Sequence, residues 1–182
     1  MAPRKTTNTE NKAPVEINTT ENKTDDKVKN VTLKDVDLNQ YITVRNGFQG
    51  RLFYKSSKTG EKFGWSKFGD EQEMELKELK NAKSRAKGFF ANNWFMFNPE
   101  DAWVIDFLGL KAYYKNAVSI EDFDKMFEKS PEEITKTLSS LSTGQKKSAA
   151  YRARQLISSG DIDSNKAITA IEKALGIELI ER

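Results

Sequence analysis

From Tyr41 onward the apolar residues of this chain fall into short periodic runs, and each run predicts an element. Ile42 and Val44 alternate with Tyr41, Thr43 and Arg45, the two-residue period of a strand with one buried face. Asn46-Gly47 then predicts a turn, because glycine takes positive φ at no steric cost. A second run, Arg51 to Lys55, sets Leu52 and Tyr54 on one face and Phe53 on the other. The SSKTGE segment that follows predicts a short hairpin loop with Gly60 as its left-handed residue, and Lys62 to Ser66 returns with Phe63 and Trp65 on a shared face. Together the three runs predict a small antiparallel meander with Leu52, Tyr54, Phe63 and Trp65 as its core.

A helix is expected next. Asp70 and Glu73 have the spacing of a capping box, acidic residues crowd the first turn, and Lys80, Lys83, Arg85 and Lys87 lie toward the negative end of the dipole. Met74, Leu76, Leu79 and Ala82 are its candidate inward residues and Gly88 its stop, with Trp94 to Phe97 as a closing strand. Asn98-Pro99 opens a short helix through Trp103 and Phe107 that Gly109 ends, and Tyr113-Tyr114 falls in a connection. Ser119, Ser130, Ser142 and Ser164 then read as caps of four further helices. Their apolar residues are Phe123, Met126 and Phe127; Ile134, Leu138 and Leu141; Ala149, Ala150, Ala153, Leu156 and Ile157; and Ile168, Ile171 and Leu175.

The expected fold class is therefore α+β: a small antiparallel β-meander with one helix, followed by a C-terminal bundle of short helices, and preceded by a flexible N-terminal arm. The expected divisions are an arm over 1–38, a β-rich domain over 39–98 and a helical domain over 99–182. The arm is expected because residues 1–40 hold no aromatic residue and equal numbers of acidic and basic ones, too little apolar surface to offset the entropy of ordering the backbone. Val28, Val31, Leu33 and Val36 give it something to bury on a neighbouring subunit.

Composition narrows the chemistry. Hydrophobic residues make up 37% of the 182, below the ~45% usual for a packed domain. The chain has no cysteine and no histidine, which removes disulfides, thiolate nucleophiles, imidazole acid-base catalysis and the common zinc sites. No enzyme is expected, and no cofactor. No apolar run approaches the ~20 residues of a membrane helix, and Met1 to Lys5 is not followed by the apolar stretch of a signal peptide. The Asn18, Asn22 and Asn30 sequons therefore carry no expected role.

The net charge of +3 is small, but its distribution is uneven. Residues 45–87 carry 11 basic and 6 acidic side chains, 99–134 carry 4 and 9, and 135–160 carry 5 and none. Such alternation lets successive segments, or successive copies, dock on one another. Two site readings follow from the residues. Asp161, Asp163, Asn165 and Glu172 fall at calcium-loop positions, but Lys166 stands where that loop needs glycine, so a helix cap at Asp163 or Ser164 is the preferred reading and no metal is expected. The aromatic hairpin interleaves Phe48, Arg51, Phe53, Lys55, Lys58 and Lys62, a mixture suited to a protein partner or to single-stranded nucleic acid. Carboxylate pairs such as Asp101 with Asp106, or Asp122 with Asp124, read as helix-terminal charges rather than acid-base dyads.

One resemblance bears on function. An extended polar start, a β-module with Val44 to Asn46, Tyr54, Thr59 to Glu61 and Trp65, a helix with Glu78-Leu79, and a Ser130 to Glu133 cap follow one another in an order that resembles a group of tailed-bacteriophage virion proteins. The resemblance spans roughly residues 41–180 and implies a structural role at the capsid shell or head-to-tail region: a minor capsid, decoration or connector protein, made in the host cytoplasm and carried in the virion. It transfers no site residue. The expected partners are capsid or connector subunits, reached through the arm and the hairpin, with self-association left open and no membrane. The alternatives are a nucleic-acid-binding accessory protein and a phage inhibitor of a host factor.

Overall fold

A computed structural model of the chain describes residues 36–180. Val28, Val31 and Leu33 lie outside the described residues, and so does most of the expected arm. Val36 is described and is half-buried against the first apolar cluster.

Strand β1 (Tyr41–Asn46) forms early in the chain and becomes the centre of a three-stranded sheet. Its neighbours are β4 (Glu71–Glu75) and β5 (Phe95–Phe97), both antiparallel, with Ile42 opposite Met74 and Val44 opposite Phe97. The hairpin formed by β2 (Leu52–Lys55) and β3 (Lys62–Trp65) is a separate two-stranded sheet, in the register Leu52–Trp65, Phe53–Gly64, Tyr54–Phe63, Lys55–Lys62. The α+β class stands and the hairpin forms as its sequence predicts. The strand beside β1, however, is not β2. Its alternating apolar face is satisfied equally well by partners from further along the chain, and periodicity does not choose between them.

Residues 70–75 likewise depart from the local signal. The Asp70 carboxylate accepts from the amides of Ser66 (2.9 Å) and Lys67 (3.1 Å), closing the turn between β3 and β4 instead of capping a helix. Five cross-strand pairs with β1 then hold Glu71–Glu75 extended, so tertiary pairing overrides helix propensity. Helix α1 (Leu76–Arg85) begins at Leu76 with no side-chain cap. Two of its first amides are satisfied by main-chain carbonyls, Leu76 by Gln40 (3.0 Å) and Lys77 by Leu38 (2.8 Å). Leu76, Leu79 and Ala82 are fully buried on α1 as their spacing predicts, whereas Met74 is buried from strand β4 and not from the helix. Gly88 starts the short helix α2 (Gly88–Ala91) instead of ending α1.

A 3₁₀ turn (Pro99–Asp101), α3 (Trp103–Phe107) and α4 (Lys111–Tyr114) follow. Tyr113 and Tyr114 are thus helical, and Tyr114 Oη donates to the carbonyl of Phe95 at 2.6 Å. Val104, Leu108 and Leu110 join the apolar cluster under the sheet, around Trp65, Phe90 and Phe95. The first cluster takes residues up to Tyr114, and the second takes Phe68 and residues from Val118 onward. The second cluster is built from Phe123, Met126 and Phe127, the last two in a 3₁₀ turn (Lys125–Glu128) where a capped helix is expected. Helices α5 (Pro131–Ser140), α6 (Thr143–Ser159) and α7 (Asn165–Leu175) complete it. Ser130 forms a full capping box with Glu133, and Ser142 and Ser164 accept from Gln145 and Ala167.

The two clusters are tied directly. Ser148 Oγ donates to the carbonyl of Gly47 (3.2 Å) and accepts from the Gln49 amide (3.2 Å), while Gln145, within the second half, bonds both main-chain groups of Val118 (2.7 and 3.1 Å). Arg45 on β1 pairs with Glu71 at 3.4 Å and with Glu121, whose carboxyl is held below its ordinary range mainly by that guanidinium. Among the described residues no helix is long and apolar enough to cross a membrane.

Candidate functional site

The hairpin is stitched down at both ends. At its base the side chain of Asn46, fully buried at the end of β1, donates to the carbonyls of Gly50 and Lys67, both at 2.8 Å, so one amide group spans the points where the hairpin leaves and rejoins the fold. Its Oδ1 accepts from the Phe48 amide (2.8 Å). At the tip, the Ser56 amide donates to the Glu61 carbonyl (2.8 Å) and Ser56 Oγ accepts from the amides of Lys58 and Thr59. Gly60 supplies the left-handed residue (φ 77°).

Glu78 on α1 then anchors the tip. This carboxylate is 6% exposed and accepts from Tyr54 Oη (2.5 Å), Ser56 Oγ (3.0 Å) and Asn81 Nδ2 (3.0 Å). Burial, reinforced by the bond to Glu78, pushes the Tyr54 phenol well above its ordinary value. The inner face, Leu52, Tyr54, Phe63 and Trp65, is buried as predicted. Trp65 Nε1 donates to the carbonyl of Val44 (2.9 Å), and Tyr54 meets Phe89 and Phe95 edge-on at 5.3 and 5.6 Å.

The outer face is consequently a fixed surface. It presents Phe53 and Lys55 on β2 and Lys62 and Gly64 on β3, with Arg51 just before β2 and Ser66 just after β3, all exposed. Phe53 is 70% exposed, the highest value among the exposed large apolar side chains. Its ring lies across Gly64: a Cβ there would meet Phe53 Cε1 at 3.1 Å, so the missing side chain is what lets the ring lie down. The next cross-strand row places Lys55 directly opposite Lys62, a like-charge pairing that costs stability. Arg51, Lys55, Lys58, Lys62 and Lys67 form no ion pair among the described residues, and Glu61 is the one acid from 51 to 67.

The structure therefore brings together Arg51, Phe53, Lys55, Lys58 and Lys62 on one hairpin. Phe48 stands apart from them, half-buried and edge-on to Trp94 at 6.0 Å. Asn46 and Glu78 position the face and were not singled out by sequence. Asn46 is masked by its turn-like Asn-Gly context, whereas Glu78 carries a legible signal, a carboxylate four residues before Ala82 on the inward stripe.

Other candidates are used by the fold. Ser164 caps α7, the helix starts at Asn165, and the Glu172 carboxylate accepts from the Leu179 amide (2.9 Å), so Asp161, Asp163, Asn165 and Glu172 do not enclose a common point; among the described residues no group of three or more metal-ligating side chains assembles. Asp106 pairs with Lys111 (3.1 Å), Asp122 with Lys125 (2.9 Å) and Asp124 with Arg152 (2.6 Å). Burial pushes Asp101 up. An open apolar concavity of about 560 Å³ lies between α3 and α4, and two of its charged lining residues, Asp106 and Lys111, neutralise each other. Comparison with protein-family models, curated proteins and solved structures gives no match to this chain.

Proposed function

We propose that the chain acts by binding, as a non-enzymatic structural or assembly component of a tailed-phage particle, and that the outer face of the β2–β3 hairpin is the surface by which it engages its neighbour there. The observation that carries the binding role is the face itself: an exposed Phe53 lying on Gly64, bordered by Arg51, Lys55 and Lys62, on a hairpin secured by Asn46 and Glu78. An exposed aromatic is a residue type enriched at interfaces, and the unpaired cations beside it favour a partner of opposite charge. The particle context is supported by the order of motifs from Val44 to Glu133 that resembles tailed-phage virion proteins.

Mass spectrometry of purified particles, from the phage whose genome encodes the chain, tests the role. The chain is expected at a fixed stoichiometry in the particle, and Phe53→Ala with Lys55→Ala is expected to lower that stoichiometry. Its absence from particles, while abundant in infected cells, would end this reading.

A further inference from the structure

We infer that the neighbour engaged by the hairpin is single-stranded nucleic acid, with a base stacked on Phe53 and the sugar-phosphate backbone held by Arg51, Lys55 and Lys62. The inference rests on the reading of the hairpin as a binding face and names what that face takes.

Charge is the first ground. The six outer positions, four on the two strands and Arg51 and Ser66 flanking them, hold three cations, one aromatic ring, a glycine and a serine, and no carboxylate. Protein interface centres are depleted in lysine, whereas a polyanion rewards lysines that nothing else neutralises. The Lys55–Lys62 row is a repulsive pair that a phosphate between the two ammonium groups would convert into an attractive one. Arg45, by contrast, is committed to Glu71 and Glu121 and is not available to a ligand.

Geometry is the second. Phe53 and Lys55 occupy alternate positions of β2 and stand about 6.8 Å apart, and Arg51 directly precedes the strand. Cations thus precede and follow the ring along the chain, and Lys55 stands from it at a spacing on the scale of one nucleotide. Because Gly64 has no side chain, the ring rests its inner side on the backbone and leaves its outer side open, which suits the planar face of a base. Duplex bases keep their faces in the stack, so the substrate class is single-stranded. No base-edge reader is present on the six outer positions apart from Arg51 and Ser66, and the binding is expected to be sequence-tolerant.

The test is a fluorescence-anisotropy titration of the full chain against labelled oligothymidylate and oligouridylate of about 20 nucleotides, at about 50 and about 200 mM salt. Saturable binding is expected, weakening steeply with salt. Phe53→Ala is expected to weaken it about tenfold, the loss of one stacked base. Lys55→Ala combined with Lys62→Ala is expected to reduce the slope of the log affinity against log salt by about 1.4, two single-strand phosphate contacts. Lys146→Ala with Lys147→Ala, outside the hairpin, is the control and is expected to leave affinity within about twofold. Equal losses from the control pair would mean diffuse charge attraction and overturn the inference. So would binding of a labelled oligoglutamate through Phe53 and Lys55 with none of either oligonucleotide, which would assign the face to an acidic protein and leave the assembly reading intact. A chain that bound oligothymidylate through these residues yet was absent from particles would overturn the assembly reading alone.

Discussion

A Cβ built on Gly144 would stand 2.2 Å from the carbonyl oxygen of Asn92 and 2.4 Å from its Cβ, so the first turn of α6 rests directly on the main chain that follows α2. This contact and the neighbouring Ser148–Gly47 bond hold the helical half of the fold against the sheet half. In an ordinary helix Gly→Ala stabilises by up to about 1 kcal/mol. Here the methyl meets backbone that cannot swing aside, and Gly144→Ala is expected to destabilise by about 1–3 kcal/mol, read as a lower denaturation midpoint. A midpoint unchanged or raised would show that the two halves are not in contact at this point.

Glu78 is the buried charge on which the hairpin tip depends. Three donors converge on it, from Tyr54, Ser56 and Asn81. Glu78→Ala removes the shared acceptor and leaves the Tyr54 and Ser56 O–H donors without one in a buried setting, which is expected to cost about 3 kcal/mol. Glu78→Gln retains an acceptor and is expected to cost less. Proteolysis provides the local readout: cleavage within 56–61 should accelerate in Glu78→Ala well before global unfolding. Equal protection in the two proteins would mean that the tip is held by the turn alone.

Much of this fold is legible in the residues because local pattern and tertiary packing agree. Leu52, Tyr54, Phe63 and Trp65 alternate and are buried, and Ser130 to Glu133 reads as a capping box and is one. Where they disagree, the long-range term prevails. Glu71 to Glu75 carries a helix-start signature, yet β1 needs a partner along its free edge and draws these residues into the sheet. Gly47 illustrates another limit. It is conspicuous as a turn glycine, but its φ is not positive, and glycine is required because the Asn93 carbonyl oxygen would lie 2.1 Å from a Cβ. No local rule encodes a contact with a residue 46 positions away. The aromatic and basic residues of the site were readable from the run itself; their fixation by Asn46 and Glu78 was not, since each acts through partners distant in sequence.

Alkaline pH offers a separate handle. Burial pushes the phenols of Tyr54 and Tyr114 above their ordinary range, the former also through Glu78. In the unfolded chain both ionise near pH 10, about the reference value for tyrosine. The folded state therefore keeps protons that the unfolded state loses first, so this contribution is whole below about pH 10 and is lost as pH rises beyond it. Denaturant midpoints measured from about pH 9 to about pH 11 are expected to fall, and Tyr114→Phe is expected to show a shallower fall than the parent protein. Parallel slopes would mean that Tyr114 ionises as readily in the fold as outside it.

Lys55 and Lys62 set stability against binding. They face each other across the hairpin and form no ion pair among the described residues, an arrangement that a fold selected for stability alone would replace. Lys55→Glu turns the repulsive row into an opposite-charge pair at an exposed site and is expected to stabilise the protein by about 0.2–1 kcal/mol. The same substitution puts a negative charge beside Phe53, where a polyanion is inferred to pass. Stability and binding should therefore move in opposite directions: a higher thermal midpoint, together with at least a tenfold loss of affinity for oligothymidylate at about 50 mM salt. A substitution that raised the midpoint and left affinity unchanged would separate the cationic row from the ligand, and one that lowered the midpoint would show that the two ammonium groups do not repel each other in the folded protein.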